Sequence, residues 1–159
     1  MPNSKEEDRH ELYEALLEVL DEAIRVDAAA CGKIRVYDPA SGSLAIRAQR
    51  GFSEDFVRSF EAIDPDDELA CARAFRLRHR IAVPDVTADP RSEPYHEAAR
   101  NEGFRGMQAT PVIGSQGQVL GTLSTHYPRV HHPSTSAGVL LDYLSRKAAT
   151  LLETLSPAQ

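Results

Sequence analysis

The sequence predicts an α+β fold, and three observations carry that expectation. Two pairs of strand-like runs are each joined by a short turn, a long amphipathic helix stands at either end of the chain, and short helical segments lie between the pairs. The stronger pair is 107–113 and Val119–Tyr127, rich in Val, Ile, Thr and aromatic residues around the turn Gly114-Ser115-Gln116-Gly117. This hairpin is expected in the middle of an antiparallel sheet, with the rest packed around it.

Taken in order, Ser4–Val26 reads as the first helix, with Ser4 as N-cap and Glu6, Glu7 and Asp8 in the first turn, where acids complement the helix dipole. Leu12, Leu16, Val19, Ala23 and Val26 recur at four-three spacing beside a second apolar row, Leu17, Leu20 and Ile24. A stripe so wide can pack on its own domain and still offer a seam to another helix. A strand over 30–37, the turn Asp38-Pro39-Ala40-Ser41-Gly42 and a strand over Ser43–Arg50 form the second hairpin, with Leu44, Ile46 and Ala48 on one face. Ser53 caps a short helix carrying Phe56, Val57, Phe60 and Ile63, and Asp64-Pro65 breaks it. The next helix, 68–79, carries Leu69, Cys71, Ala74 and Phe75. Arg73, Arg76, Arg78 and Arg80, with His79, read as its solvated face. Residues 81–86 read as a short strand whose Pro84 suits a sheet edge. A helix over 94–102 ends at Gly103, and the last helix, 136–155, repeats Ala137, Leu141, Leu144, Ala148, Leu151 and Leu155 as a heptad seam.

The 159 residues suit one domain, 1–159, with a terminal helix over 4–26, a sheet and pocket region over 30–127 and a terminal helix over 136–155. A net charge of −6 argues against nucleic-acid and anionic-membrane partners, both of which need basic clusters. The N-terminus has no apolar signal-peptide core, so a cytoplasmic location is expected. Cys31 and Cys71 are lone residues without CxxC spacing and read as small buried hydrophobes.

Strand alternation puts Gln108, Thr110 and Val112 on one face, and Leu120, Thr122, Ser124 and His126 on one face of the next strand. If these polar rows align, Gln108, Thr110, Thr122, Ser124 and His126 converge on one concave surface; the alternative is that they face water. Neither His126, His131 and His132 as a metal site nor Ser124 and His126 as a nucleophile and base is completed by an acid or cysteine in the right place.

The segments Tyr37-Asp38-Pro39-Ala40-Ser41-Gly42, Gln49-Arg50-Gly51-Phe52, Asp85-Val86 with Asp89-Pro90, Gly103-Phe104-Arg105, Gln108-Ala109-Thr110-Pro111 and Leu120 through Tyr127 resemble, in order and spacing, the GAF domains of bacterial signalling proteins. The resemblance implies a five- or six-stranded antiparallel sheet, with the terminal helices on one face and short helices and loops over a ligand pocket on the other. It implies a sensory or regulatory, non-catalytic domain that binds a small molecule or acts as a dimerising module, in the manner of two-component systems. The partners implied are a second copy through the terminal helices and an output domain or protein such as a histidine kinase. The pocket is expected to draw its walls from Phe52, Phe56, Cys71, Val86, Tyr95, Phe104, Gln108, Thr110, Ser124 and His126. No cofactor is named. A covalent bilin is disfavoured because no attachment cysteine is found, although the strand bearing His126 is similar to that of bilin-binding relatives. Haem would need an axial ligand, for which only His126 is placed. A third reading follows from a cysteine aligned with Cys71 in the free methionine-(R)-sulfoxide reductases of the family. Further cysteines of that branch have no counterpart over 89–106.

Overall fold

The computed structural model describes residues 3–155. Its elements are α1 (Ser4–Val26), β1 (Cys31–Asp38), β2 (Ser43–Arg50), α2 (Glu54–Phe60), β3 (Ala62–Ile63), α3 (Ala70–Leu77), β4 (Ile81–Val83), α4 (Glu93–Glu102), β5 (Gly106–Ile113), β6 (Val119–Tyr127) and α5 (Thr135–Leu155), with two single-turn 3₁₀ helices before α4. The strands form one antiparallel sheet in the order β3-β2-β1-β6-β5-β4. This α+β architecture is the fold class read from the sequence.

Several local expectations need correction. The N-cap of α1 is Asn3, whose side chain accepts from the Lys5 amide, so Ser4 is already helical. The middle of the sheet is the β1–β6 pair, so only one strand of the 107–127 hairpin is central. A bulge between β1 and β2 leaves Arg47 without a partner. A bulge moves every later side chain to the other face. Leu44 therefore joins the core on one side of the sheet while Ala48 joins the core on the other, and the two do not share a face. Ile63 is not helical: α2 stops at Phe60, and Ala62–Ile63 pairs with Ala45 and Leu44 as an edge strand.

Of the basic run read as a solvated face, Arg78 and His79 are exposed, but Arg73, Arg76 and Arg80 are turned into the fold. Arg73 is buried and donates to the Glu68 carbonyl. Arg76 donates to the carbonyls of Pro65 and Asp67 at 2.6 Å each. Arg80 donates to Thr110 Oγ1 at 3.2 Å and to the Gly138 carbonyl and Asp142 of α5.

The sheet has a core on each side. On one, α1 and α5 lie together over Ile34, Ala48, Val112 and Leu123, burying Leu12, Leu16, Leu17, Leu20, Leu141, Leu144 and Leu152. Most of both predicted seams is therefore consumed inside the chain. On the other side, α2, α3 and α4 cover Leu44, Met107 and Ala109 with Phe52, Phe56, Cys71, Val86, Tyr95 and Phe104. Gly121 lets the two central strands close up: a Cβ there would stand 1.9 Å from the Arg35 carbonyl oxygen.

Candidate functional site

The second core differs from the first in what the sheet contributes to it. β1 alternates Lys33 and Arg35 with Ile34 and Val36, and a central strand covered on both faces must bury both sets. Ile34 goes to the terminal helices. Lys33 and Arg35 go to the side of α2, α3 and α4, both at 0 % exposure. Across the ladder β1 pairs Lys33 with Ser124, Arg35 with Thr122 and Cys31 with His126, so these three β6 side chains share the same face.

The groups interlock. Lys33 Nζ donates to His126 Nε2 at 2.8 Å and lies 5.5 Å from the ring centre of Phe52, 5.6 Å from Tyr95 and 6.0 Å from Phe56. Such ring faces offset part of a cation's lost hydration. Arg35 Nη1 donates to the carbonyls of Leu44 at 3.1 Å and Glu61 at 3.4 Å, which fixes the guanidinium plane against β2 and the residue just before β3, and Nη2 reaches the Tyr95 hydroxyl at 3.5 Å. Ser124 Oγ sits 3.1 Å from Cys71 Sγ. Phe52 stacks on Phe56 at 4.2 Å, and Phe52 and Phe104 meet the His126 ring edge-on at 5.0 and 4.5 Å. Phe60 packs on Tyr95 at 4.7 Å from outside.

Charge follows from this arrangement. Burial pushes Lys33 down to about 8, against the pull of Cys71. Burial, then the charges of Lys33 and Arg35, hold His126 well below its ordinary value, so its imidazole is neutral and Nε2 is free to accept. For Cys71 burial raises the thiol, but Lys33, Arg35 and hydrogen bonds from Ser124 and Arg35 outweigh it and leave the thiol below its ordinary value. Cys31, on the same strand, is pushed up to about 12 by burial. Neither Lys33 nor Arg35 forms an ion pair with a carboxylate among the described residues. Arg35 Nε, Thr122 Oγ1 and His126 Nδ1 are buried and have no hydrogen-bond partner there.

Of the ten wall residues expected from the sequence, Phe52, Phe56, Cys71, Val86, Tyr95, Phe104, Ser124 and His126 lie on this side of the sheet. Gln108 and Thr110 do not, and the single convergent surface is corrected by the register. β5 and β6 pair Gln108 with Thr125 and Ala109 with Ser124, so the two polar rows point to opposite faces. Gln108 instead donates to the Tyr127 hydroxyl at 2.7 Å, in a network with Thr125 on the terminal-helix side, and Thr110 accepts from Arg80. His131 stacks on Tyr127 and pairs with Asp27, away from His126. No group of three His, Cys, Asp or Glu side chains able to hold a metal occurs among the described residues. Lys33 and Arg35 were missed, and their signal was present: two charges at alternate positions of a strand that has a neighbour on each edge and a layer on each face.

Above this cluster, α2 and α4 enclose an open groove of about 560 Å³ whose lining includes Phe56 and Phe60 together with Asp55, Glu97 and Glu102. The two rings therefore stand between the groove and the buried cations.

The comparisons with known proteins agree on the fold. The structure resembles the GAF domain region of a protein from Geobacter sulfurreducens PCA, at a TM-score of 0.79 and 18% identity over 95% of this chain and 99% of that one. It also resembles a domain of a protein from Sinorhizobium meliloti 1021 described as a two-component sensor histidine kinase, at 0.70 and 21% over 92% and 91%. A third similar structure is a type II free methionine-R-sulfoxide reductase from Thermoplasma acidophilum, at 0.70 and 17% over 96% and 97%. No curated protein sequence matches significantly. The sequence model for the GAF domain matches residues 7–153, and the chain belongs to that family.

Proposed function

We propose that this is a sensory or regulatory domain of a signalling system, non-catalytic and cytoplasmic, which holds a small molecule on the side of the sheet covered by α2, α3 and α4. One observation carries the reading: a buried cluster of cations, hydroxyls and imidazole, roofed by aromatic side chains, where a core built for stability alone would be apolar. Phe52, Phe56, Tyr95 and Phe104 supply the apolar walls. Cys71, Ser124 and His126 with Lys33 and Arg35 supply the fixed polar groups, and Val86 backs them.

The similarity to domains of signalling proteins supports the sensory role, and no helix among the described residues is long and apolar enough to cross a membrane. A homodimer through the terminal helices is part of the same reading. After α1 and α5 have packed on one another, Val139, Leu140 and Tyr143 of α5 and Tyr13 of α1 still expose apolar surface. Native mass spectrometry of freshly isolated protein tests the ligand reading: a retained small molecule supports it, and a bare mass at every ionic strength counts against it.

A second reading keeps one supporting observation. The Cys71 thiol, held low beside Lys33, is the sort of thiol that reductases use, and one similar structure is a reductase. Reduction of free methionine-(R)-sulfoxide by the purified protein, lost in Cys71→Ser, would establish it; no turnover in the wild type removes it.

A further inference from the structure

We propose that Lys33 and Arg35 form an anion receptor and that the molecule it takes is a small organic monocarboxylate with an apolar body. This rests on the small-molecule reading above and names the chemistry of the ligand.

The unmatched charge points there first. Two cations at 0 % exposure, with no carboxylate partner among the described residues, each cost several kcal/mol of desolvation by order of magnitude. Elsewhere the chain does supply partners to its covered arginines: Asp89 lies 3.6 Å from Arg73, Glu68 lies 3.7 Å from Arg76, and Asp142 pairs with Arg80. Among the described residues, the pair facing the centre of the sheet is left without one.

Donor geometry gives the shape of the anion. Arg35 is anchored through Nη1, which leaves the Nε–Nη2 edge, with Nε unpartnered and Nη2 in a long 3.5 Å contact with Tyr95, while the guanidinium also acts on the neighbouring Cys71 thiol. That edge presents two parallel N–H groups, the match for the two oxygens of a planar carboxylate. The Thr122 hydroxyl, opposite Arg35 in the ladder, is buried and unpartnered. Lys33 has three N–H donors and spends one on His126.

Charge and surroundings then select among anions. The groove outside carries Asp55, Glu97 and Glu102, which repel dianions and polyphosphates at the approach. Next to the cations lie the rings of Phe52, Phe56 and Tyr95, which suit a hydrocarbon body.

The test uses the full chain, labelled with nitrogen-15, titrated in parallel with phenylacetate, phenylacetamide and phenethylamine, then with butyrate, butyramide, butylamine and inorganic phosphate. The inference expects the two carboxylates to shift the amides of β1 and β6 around Lys33, Arg35 and Thr122, with the amides, amines and phosphate at least about tenfold weaker. Lys33→Met, Arg35→Gln and Thr122→Val are expected to weaken carboxylate binding by about tenfold or more for the first two and less for the third, with dispersed spectra showing that each is folded. If Arg35→Gln does not fold, the other two variants decide. Equal binding of the uncharged isosteres at the same amides overturns the inference and leaves small-molecule sensing intact. Carboxylate binding that survives all folded variants, or no carboxylate binding, also overturns it. In that last case a non-acidic molecule retained by the isolated protein keeps the sensing reading alive, whereas a bare protein ends both.

Discussion

The two faces of the sheet solve opposite problems with the same strands. On the face under α1 and α5, the side chains beneath the helices are mostly hydrocarbon, among them Leu16, Leu20, Ile34, Leu123 and Leu141, all at or below 1% exposure, and the buried polar groups beside them, Gln108, Thr125 and Tyr127, are uncharged and bonded to one another. On the face under α2, α3 and α4, the same β1 and β6 bury Lys33, Arg35, Thr122, Ser124 and His126 to an equal degree. Equal burial with opposite chemistry means that one face contributes stability and the other draws on it. The long helices can therefore be read as the part that keeps the chain folded while the short ones sit over groups that a packed core would exclude.

The comparison can be broken where the two faces meet. Gly121→Ala places a methyl 1.9 Å from the Arg35 carbonyl oxygen, between the two central strands that both cores share, and is expected to cost more than about 4 kcal/mol, read as loss of a cooperative thermal transition. On the helix side, Leu20→Ala is expected to cost about 2–5 kcal/mol by chemical denaturation, because a fully buried leucine leaves a cavity. On the other side the sign should reverse. Lys33→Met removes a buried cation and keeps its length, and the ligand-free protein is expected to gain about 1–3 kcal/mol, less than the whole desolvation term because His126 Nε2 loses its donor. A Lys33→Met protein that is clearly less stable than wild type would falsify the contrast between the faces.

Acid and alkali sharpen the same contrast. His126 resists protonation when folded, so below its ordinary value of 6.5 the unfolded chain binds the extra proton, and stability should drop as the pH is lowered, by at most about 1.4 kcal/mol per unit. His126→Gln, whose amide oxygen can still accept from Lys33, should flatten that slope. Lys33 works in the alkaline range. Folded it loses its proton near 8 and unfolded near 10.5, so the unfolded state binds more protons in between and stability should rise with pH there. Cys31 opposes it above 9, because its folded thiol keeps the proton up to about 12. The rise is therefore cleanest between 8 and 9, where Cys71, with its lowered thiol, acts in the same direction as Lys33. A Lys33→Met titration that keeps the full slope would remove this assignment.

The smallest stability effect belongs outside. Tyr143→Glu on exposed α5 should change folding stability by no more than about 0.5 kcal/mol, yet it should shift sedimentation toward monomer if the terminal helices pair between copies. Leu144→Glu cannot serve for this purpose, because Leu144 is buried within the chain.

What could be read from the residues alone divides along physical lines. Element type came through wherever periodicity was long: α1, α5, β2 and the β5–β6 hairpin lie within a residue or so of their expected bounds. Ala62–Ile63 did not, since a two-residue edge strand has no periodicity and continues the apolar spacing of α2. Register was the costly gap. The turn Gly114-Ser115-Gln116-Gly117 and the extra residue near Leu120 set Gln108 opposite Thr125 instead of Ser124 or His126, and alternation within each strand cannot supply that offset. The same limit hid the bulge at Arg47, which separated Ala48 from Leu44. The buried cations were legible in principle but only after β1 was known to be central, a fact about its neighbours and not about its own composition.

Arg80 ties these regions together mechanically. It follows α3, the helix that brings Cys71 to the sheet, by three residues, and its guanidinium grips Thr110 of β5 together with Gly138 and Asp142 of α5. A displacement of α3 large enough to admit a guest must pull on that grip, so the long C-terminal rod would feel the arrival as a tug at its first turns. If a small molecule is held there as proposed, the side chain would serve as a tether that carries its arrival to α5, and cutting it would uncouple the two layers.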